Sequence, residues 1–158
     1  MDKIFQMVSD SDLTPLFQSM DDEYIALLRP LFEQVSYQAG AKVIEQGAVA
    51  DFIYLIEHGK VEISYKPYDG ESLTITYVEA GGLFGWSALM GSPKYTSTGI
   101  AIEDLDLMRM RGSDLRILCR EYPDAGEVIL DRLASAVSKR WKNAHEQVKS
   151  ILQSGING

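Results

Sequence analysis

The stretch from Gly81 to Thr98 carries the residues best suited to bind a ligand, and it reads GGLFGWSALMGSPKYTST. Glycine-rich turns can hold an anion, because glycine lets backbone N–H groups approach and surround it. The residues from Gly85 to Ala88 would open a short helical turn, where N–H groups point outward. Lys94 adds a positive charge shortly afterwards. The expected chemistry is therefore non-covalent binding of an anionic group.

Each of the conspicuous side chains in this stretch has a structural interpretation beside the functional one. Trp86 either packs as core, where it could plug a pocket, or stacks on the ring of a ligand. Tyr95 either sits at the rim of a barrel or donates a hydrogen bond to a ligand. Lys94 is either an exposed loop lysine or a phosphate contact. The sequence leaves these alternatives open.

Catalytic and metal-binding signals are weak elsewhere in the chain. It contains no Walker loop, HExxH or GxSxG motif and no paired-carboxylate arrangement. His58 precedes a turn glycine, His145 has no partner at ligand spacing, and Cys119 lies among leucines. We therefore expect no enzyme activity and no metal site.

Composition limits the class of protein further. The 158 residues are 46% hydrophobic and 24% charged, with a net charge of −8, as for one soluble domain. This charge argues against a broad nucleic-acid surface, which needs clustered Lys and Arg. No apolar run is long enough to span a membrane, and the first residues lack the pattern of a secretory signal. A cytoplasmic protein is the expectation.

The hydrophobic pattern divides the chain into three regions, which we predict to be helical over 9–33, β over 35–111 and helical over 113–152. In the first region Ser19 could cap a helix, and Pro30 should kink or end it. In the last, Ser113 could cap a short helix that stops before Pro123, and Asp124 could cap the next one.

Alternation at period two marks the strands of the middle region. Val61, Ile63 and Tyr65 alternate with polar residues, and so do Leu73, Ile75 and Tyr77. Asp69-Gly70 is a predicted hairpin turn, because that pair tolerates positive φ. The last strand is predicted over Leu105–Arg111, directly before Gly112.

The final helix carries an apolar stripe that steps by threes and fours, an average of about 3.5 residues that is typical of a coiled-coil seam. At about 28 residues it would extend roughly 42 Å, which predicts a homodimer through this helix. The predicted seam residues are Leu130, Leu133, Val137, Trp141, Ala144 and Val148.

The order of these regions, together with several motifs, resembles the cyclic-nucleotide-binding domain of the catabolite activator protein (Crp/Fnr) family. Gln46-Gly47 with Ala50-Asp51, followed by the run from Ile53 to Val61, is similar to one family motif. Phe84-Gly85 and Ala88-Leu89 resemble its phosphate-binding cassette, and the residues from Thr98 to Asp104 resemble the strand that follows.

The resemblance implies an α+β, mainly β fold: a double-stranded β-helix, or jelly-roll-like β-roll, flanked by N-terminal helices and a long C-terminal dimerisation helix, in a single domain over 1–158. It also implies a ligand site in the cassette turn and in the segment after Pro93. The candidate ligand-binding residues are Phe84, Gly85, Trp86, Ser87, Ala88, Lys94, Tyr95 and Thr96.

The cassette departs from the family pattern at both side-chain anchors. The family's Glu, which accepts a hydrogen bond from the ribose 2′-hydroxyl, is replaced by Trp86, and its phosphate-clamping Arg is replaced by Lys94. An indole can only donate a hydrogen bond, and an ammonium lacks the bidentate fork of a guanidinium. Binding of cyclic AMP or cyclic GMP is therefore expected to be weak, and the ligand's identity stays open.

Two hypotheses remain from the sequence. In the first, the chain is a stand-alone ligand-sensing regulatory domain that binds a small anionic effector, a cyclic nucleotide or another anion, in the β-roll. In the second, it is a ligand-free dimerisation or interaction module whose pocket is plugged by Trp86. Since the family's helix-turn-helix domain follows the long helix and this chain ends near that point, we expect no specific DNA binding. The downstream protein partner is unknown.

Overall fold

A computed structural model of the chain describes residues 20–90 and 93–135. In these ranges helix α1 spans Asp22–Leu28 and leads through a 3-10 turn, Arg29–Leu31, into the β region. The strands are β1 (Glu33–Tyr37), β2 (Lys42–Ile44), β3 (Phe52–His58), β4 (Lys60–Tyr65), β5 (Leu73–Glu79), β6 (Leu83–Phe84), β7 (Thr98–Ala101) and β8 (Leu105–Arg111). The short helix α2 (Ser87–Met90) follows β6, and α3 (Gly112–Glu121) and α4 (Pro123–Ser135) follow β8.

The strands form two antiparallel four-stranded sheets, with strand orders β1-β8-β3-β6 and β2-β7-β4-β5. Apart from the hairpin of β4 with β5, neighbouring strands within each sheet come from distant parts of the chain, which is the connectivity of a double-stranded β-helix. The predicted β-roll with flanking helices is thus confirmed. Among the described residues, no helix is both long and apolar enough to cross a membrane.

Two apolar clusters lie on opposite faces of the first sheet. An inner cluster fills the space between the sheets, and an outer cluster joins the first sheet to the helices. Strand β3 contributes to both by alternation, because successive side chains point to opposite faces. Tyr54 and Ile56 belong to the inner cluster, whereas Ile53 and Leu55 belong to the outer one.

Prolines mark the helix boundaries where the sequence predicts a break. The α-helix α1 ends at Leu28, and Pro30 lies in the 3-10 turn after it. Likewise α3 ends at Glu121, and Pro123 is the first residue of α4. Proline lacks the N–H that would continue the hydrogen-bond ladder, but it is tolerated in a first helical turn.

The N-caps predicted at Ser113 and Asp124 are wrong. Helix α3 begins at Gly112, with Arg111 at the N-cap position and no side-chain cap bond, so Ser113 lies inside the helix. The N–H of Gly112 donates instead to the carbonyl of Asp51, at 3.0 Å, so a tertiary contact sets where this helix starts. In α4, Asp124 lies in the first turn rather than at the cap. Ser19 lies outside the described residues.

The predicted alternation holds for β4 only as far as Ile63 and is wrong for β5. Val61 and Ile63 are buried as expected, but Tyr65 is 42% exposed. In β5 the buried residue is Val78, and both Leu73 and Tyr77 are exposed. The pairing of β4 with β5 skips Ile75, since Ile63 faces Thr76 and Ser64 faces Thr74. This bulge, at the edge of a sheet, changes which side chains turn inward.

The hairpin between β4 and β5 is confirmed, but its turn chemistry differs from the prediction. The N–H of Gly70 contacts the carbonyl of Pro67 at 3.5 Å, which makes Gly70 the last residue of a four-residue turn. Gly70 does not have a positive φ, so the turn does not use the conformation for which an Asp-Gly pair is favoured.

Candidate functional site

The cassette turn is built on a glycine that no other residue could replace without movement. Gly85 has φ +89°, and a Cβ placed there would lie 2.8 Å from the carbonyl oxygen of Phe52. A side chain would thus meet both a left-handed backbone and the main chain of β3. The glycine lets β6 turn sharply into α2 while the turn stays against the sheet.

Hydrogen bonds inside the turn already engage some of the N–H groups that the sequence predicts to bind a ligand. The N–H of Ala88 donates to the carbonyl of Gly85 at 3.2 Å, and that of Leu89 donates to the carbonyl of Trp86 at 2.9 Å. Ala88 is also buried in the outer cluster. Ala88 was a candidate donor to the ligand, but its N–H is engaged by the helical turn itself. The N–H of Ala88 is therefore not part of a cradle for the ligand.

Trp86 packs on the helix side of the first sheet. It is partly buried and borders the outer cluster, together with Ala88 and Leu89. The inner cluster, which fills the roll, instead contains Phe84 and Tyr95 from this part of the chain. The packing of Trp86 therefore gives no support to a plug inside the roll.

The segment after Pro93 runs along the loop between β2 and β3. The backbones of Lys94 and Val49 form an isolated antiparallel β-bridge. The N–H of Tyr95 donates to the carbonyl of Ala48 at 2.9 Å, and the N–H of Ala50 donates to the carbonyl of Pro93 at 3.1 Å. The Gln46–Asp51 run, which resembles the family motif, is thus the main-chain support of the candidate site. The side chain of Lys94 is exposed.

Tyr95 is buried, and its hydroxyl is occupied by the main chain of β3. It accepts a hydrogen bond from the N–H of Phe52 at 3.1 Å and donates one to the carbonyl of Phe52 at 2.7 Å. Burial raises the pKa of this hydroxyl. Any contact between Tyr95 and a ligand would therefore involve its ring.

Ser87 and Thr96 link the two halves of the candidate site. Ser87 is buried, and its Oγ lies 3.5 Å from Oγ1 of the exposed Thr96. The contact between these hydroxyls joins the cassette turn to the segment that carries Lys94.

Sequence reasoning missed Arg116, which connects the cassette to the C-terminal helices. Its guanidinium, on α3, donates to the carbonyl of Ala88 and, at 3.3 Å, to that of Leu89. A Cβ on Gly112, one turn earlier, would lie 2.2 Å from the same Ala88 oxygen. The start of α3 therefore rests directly on the cassette turn, with backbone against backbone. An arginine one helical turn after a helix-opening glycine is too common a pattern to have revealed this contact.

Sequence reasoning also missed a row of paired residues across the first sheet. Glu33, Arg109, Tyr54 and Phe84 occupy adjacent positions on β1, β8, β3 and β6. Nε of Arg109 lies 2.7 Å from Oε1 of Glu33, and the Tyr54 ring stacks on that of Phe84 at 5.1 Å. Burial, reinforced by Tyr37 and Tyr95, raises the pKa of Tyr54. The alternation of methionine and arginine at 108–111 was the available signal.

His58, Cys119 and His145 were predicted to have no metal-binding or catalytic role, and the structure describes the first two of them. His58 is 71% exposed, with its Nδ1 3.5 Å from Asp106. Cys119 is buried, and burial raises the pKa of its thiol to about 11. His145 lies outside the described residues.

The predicted dimer seam is described only at its first two positions. Leu130 and Leu133 are 6% and 1% exposed and belong to the outer cluster of their own chain. At these two positions the stripe therefore packs on the domain. The remaining seam residues, Val137, Trp141, Ala144 and Val148, lie outside the described residues.

Comparison with known proteins agrees with this geometry. The chain is similar to the cyclic AMP receptor protein of Thermus thermophilus, with 26% identity over 131 residues that cover 83% of this chain and 59% of the relative. It spans about 60% of the length of the curated relatives it matches first. The remaining part of those relatives is not included in the match.

Solved structures show the same fold. The N-terminal domain of a transcriptional regulator from Streptomyces coelicolor superposes with a TM-score of 0.63 at 26% identity, covering 79% of this chain and 94% of that one. A cyclic nucleotide-binding domain from Methylobacillus flagellatus superposes with a TM-score of 0.72, covering 92% and 83%, and at 21% identity it speaks for the fold alone.

The family model for the cyclic nucleotide-binding domain matches residues 34–122. This range covers the whole β-roll except its first residue, the cassette turn and helix α3, and it includes Arg116. With the roll topology and the cassette turn in place, the chain belongs to the cyclic nucleotide-binding domain family.

Proposed function

We propose that the chain is a ligand-sensing regulatory domain that binds a small anionic effector in the β-roll, at the cassette turn and the Lys94 segment. The observation that carries this proposal is the bond from Arg116 to the cassette carbonyls of Ala88 and Leu89. A ligand that moves the turn would also move α3, since their backbones are in contact at Gly112. A conformational change at the ligand site would thereby be transmitted to the C-terminal helices.

We expect the effector that binds most tightly to be a compound other than cyclic AMP or cyclic GMP. Lys94 supplies one positive charge without a bidentate fork, and Trp86 offers no acceptor to a ribose hydroxyl. Cyclic AMP and cyclic GMP should show no saturation below about 100 μM, which corresponds to roughly −5.5 kcal/mol. The domain itself acts by binding and conformational coupling rather than by catalysis.

The test is the unfolding temperature of the protein in the presence of a panel of cyclic mononucleotides, cyclic dinucleotides and linear nucleotides. A ligand that binds only the folded state raises this temperature. Lys94→Arg should strengthen the binding of any phosphate ligand in the cassette, and Lys66→Arg, at another exposed lysine, is the matched control. If no compound of the panel stabilises the protein, the ligand-free interaction module becomes the better account.

Trp86 calls for a conservative variant in this test. Because its ring borders the outer cluster, Trp86→Glu would place a carboxylate against apolar residues and destabilise the fold. Trp86→Phe preserves an apolar ring and removes the fluorescence of this indole, leaving that of Trp141. If the titration signal of the wild-type protein comes from Trp86, Trp86→Phe loses the signal and keeps the thermal stabilisation.

A further inference from the structure

Two arginines of β8 lie on the face of the first sheet that lines the roll. Arg109 and Arg111 alternate with Met108 and Met110, which are buried against the helices in the outer cluster. Since side chains alternate between faces along a strand, the two arginines share the face of Leu107, which belongs to the inner cluster.

Both guanidinium groups pack on one phenylalanine ring. The guanidinium carbon of Arg109 lies 4.0 Å from the centroid of Phe52, and that of Arg111 lies 4.8 Å from it. Phe52 is paired with Arg111 across β3 and β8. A guanidinium that packs on a ring still has five N–H donors for other partners. We call Arg109, Phe52 and Arg111 the arginine–phenylalanine stack.

The two arginines differ in how their charge is compensated. Arg109 forms an ion pair with Glu33, in which its Nε lies 2.7 Å from Oε1. Arg111 is exposed, and within the described residues it forms no ion pair, while its guanidinium packs on the ring of Phe52. In a chain of net charge −8, the stack therefore presents one exposed guanidinium that has no ion-pair partner among the described residues.

The stack lies next to the candidate ligand site. The main chain of Phe52 holds the hydroxyl of Tyr95, the residue after Lys94. The carbonyl of Phe52 is also the atom against which Gly85 of the cassette turn closes. The stack thus shares Phe52 with both halves of the site.

We propose that Arg111, supported by Arg109, binds a phosphate or carboxylate group of the effector. A guanidinium fork matches such an anion bidentately, which is the recognition that Lys94 cannot provide. An effector with two anionic groups would engage Lys94 with one and the stack with the other. This inference rests on the proposed function, since it places the effector between the cassette and the stack.

The experiment follows the Nε–Hε resonances of the arginines by NMR during titration of the whole chain with inorganic phosphate, pyrophosphate and cyclic AMP. Pyrophosphate should shift the Arg111 resonance saturably, and Arg111→Gln should weaken its binding at least tenfold. Arg111→Lys should recover only part of the affinity, because it restores charge without the fork. Arg120→Gln, at another exposed arginine, should leave binding unchanged. Unfolding temperatures of all variants confirm that they remain folded.

The remaining outcomes separate this inference from the proposed function. Binding that is lost in Lys94→Gln but unchanged in Arg111→Gln would overturn the role of the stack and leave the regulatory function standing. Binding of none of the three probes at millimolar concentration would count against both. A loss that Arg120→Gln reproduces would reveal general electrostatics and overturn the specific site.

Discussion

Arg116 donates hydrogen bonds from helix α3 to the carbonyl of Ala88, at the end of the cassette turn. The same side chain reaches the carbonyl of Leu89. These are among the last carbonyls of α2, which the short helix cannot satisfy internally. A cation at that position also complements the negative end of the helix.

Replacing Arg116 should therefore destabilise the protein and loosen the cassette. A hydrogen bond to a charged group contributes about 1.5–3 kcal/mol, so Arg116→Gln should lower the free energy of unfolding by about 2 kcal/mol in urea titrations. Arg120→Gln, on the exposed face of the same helix, should change it by less than about 0.5 kcal/mol. Equal stabilities of the two variants would contradict the bond.

Gly112 should not tolerate a side chain. The Cβ of Gly112→Ala would lie 2.2 Å from the carbonyl oxygen of Ala88, so the helix must move away from the cassette. Such overpacking typically costs about 1–3 kcal/mol. Urea unfolding measures the loss.

The control for Gly112 is its neighbour in the same helical turn. Ser113→Ala should be nearly neutral, because Ser113 lies inside the helix and provides no cap bond. If Ser113→Ala instead costs about 1 kcal/mol, as loss of an N-cap does, then the helix begins elsewhere than at Gly112.

The hydroxyl of Tyr95 should matter for stability more than for ligand binding. Tyr95→Phe removes both bonds to the main chain of Phe52 and leaves polar groups of β3 without that partner. The expected loss is about 1–3 kcal/mol of unfolding free energy. Tyr65→Phe, at a tyrosine that is 42% exposed, serves as the control. A neutral Tyr95→Phe that abolishes ligand binding would reverse the assignment.

Stability should fall with pH in the alkaline range because of Cys119. Burial raises the pKa of its thiol from an ordinary 9.0 to about 11. Over this interval the unfolded state loses the proton first, so the folded state binds more protons and its stability decreases as pH rises. The stabilisation is complete below pH 9 and lost by about pH 11, on the order of 2 kcal/mol.

The contribution of Cys119 can be isolated by difference, because Tyr54 and Tyr95 also have raised pKa values. Cys119→Ala should flatten the decline of unfolding free energy between about pH 9 and pH 11 relative to wild type. Parallel curves for the two proteins would show that the thiol does not titrate differently on folding.

The predicted homodimer needs variants beyond the first two seam positions. Leu133 is buried in its own domain, so Leu133→Glu would unfold the protein whether or not it dimerises. Val137→Glu with Val148→Glu should convert a sedimenting dimer to a monomer at micromolar concentration, because charges would enter an apolar seam. Ser138→Glu with Gln147→Glu adds the same charge outside the seam and should leave the dimer intact. A monomeric wild type would refute the prediction.

Most of the fold could be predicted from local features. The bounds of β8 are as expected, and the helices break at Pro30 and Pro123, because a proline disrupts a helix wherever it lies. The period-two pattern of β4 held at Val61 and Ile63, since a strand between two others is buried on a fixed face. The order of the elements and the cassette motif then sufficed to recognise the family.

The candidate site depended on contacts that no local pattern contains. Leu73 and Tyr77 face outward, because a bulge at an edge strand shifts the alternation. Trp86 packs on the helix side, and the start of α3 is set by a bond to Asp51.

The sequence by itself determined the class of the protein: a mainly β roll, a glycine-rich cassette without the family's two anchors, and a net charge of −8. Only the tertiary structure decided which cations lie near the cassette. Arg116 meets Ala88 across 28 residues, and Arg111 meets Phe52 through the pairing of β8 with β3. Such contacts join strands and helices that are distant in the chain, and they form only when the packing of the whole roll brings those elements together.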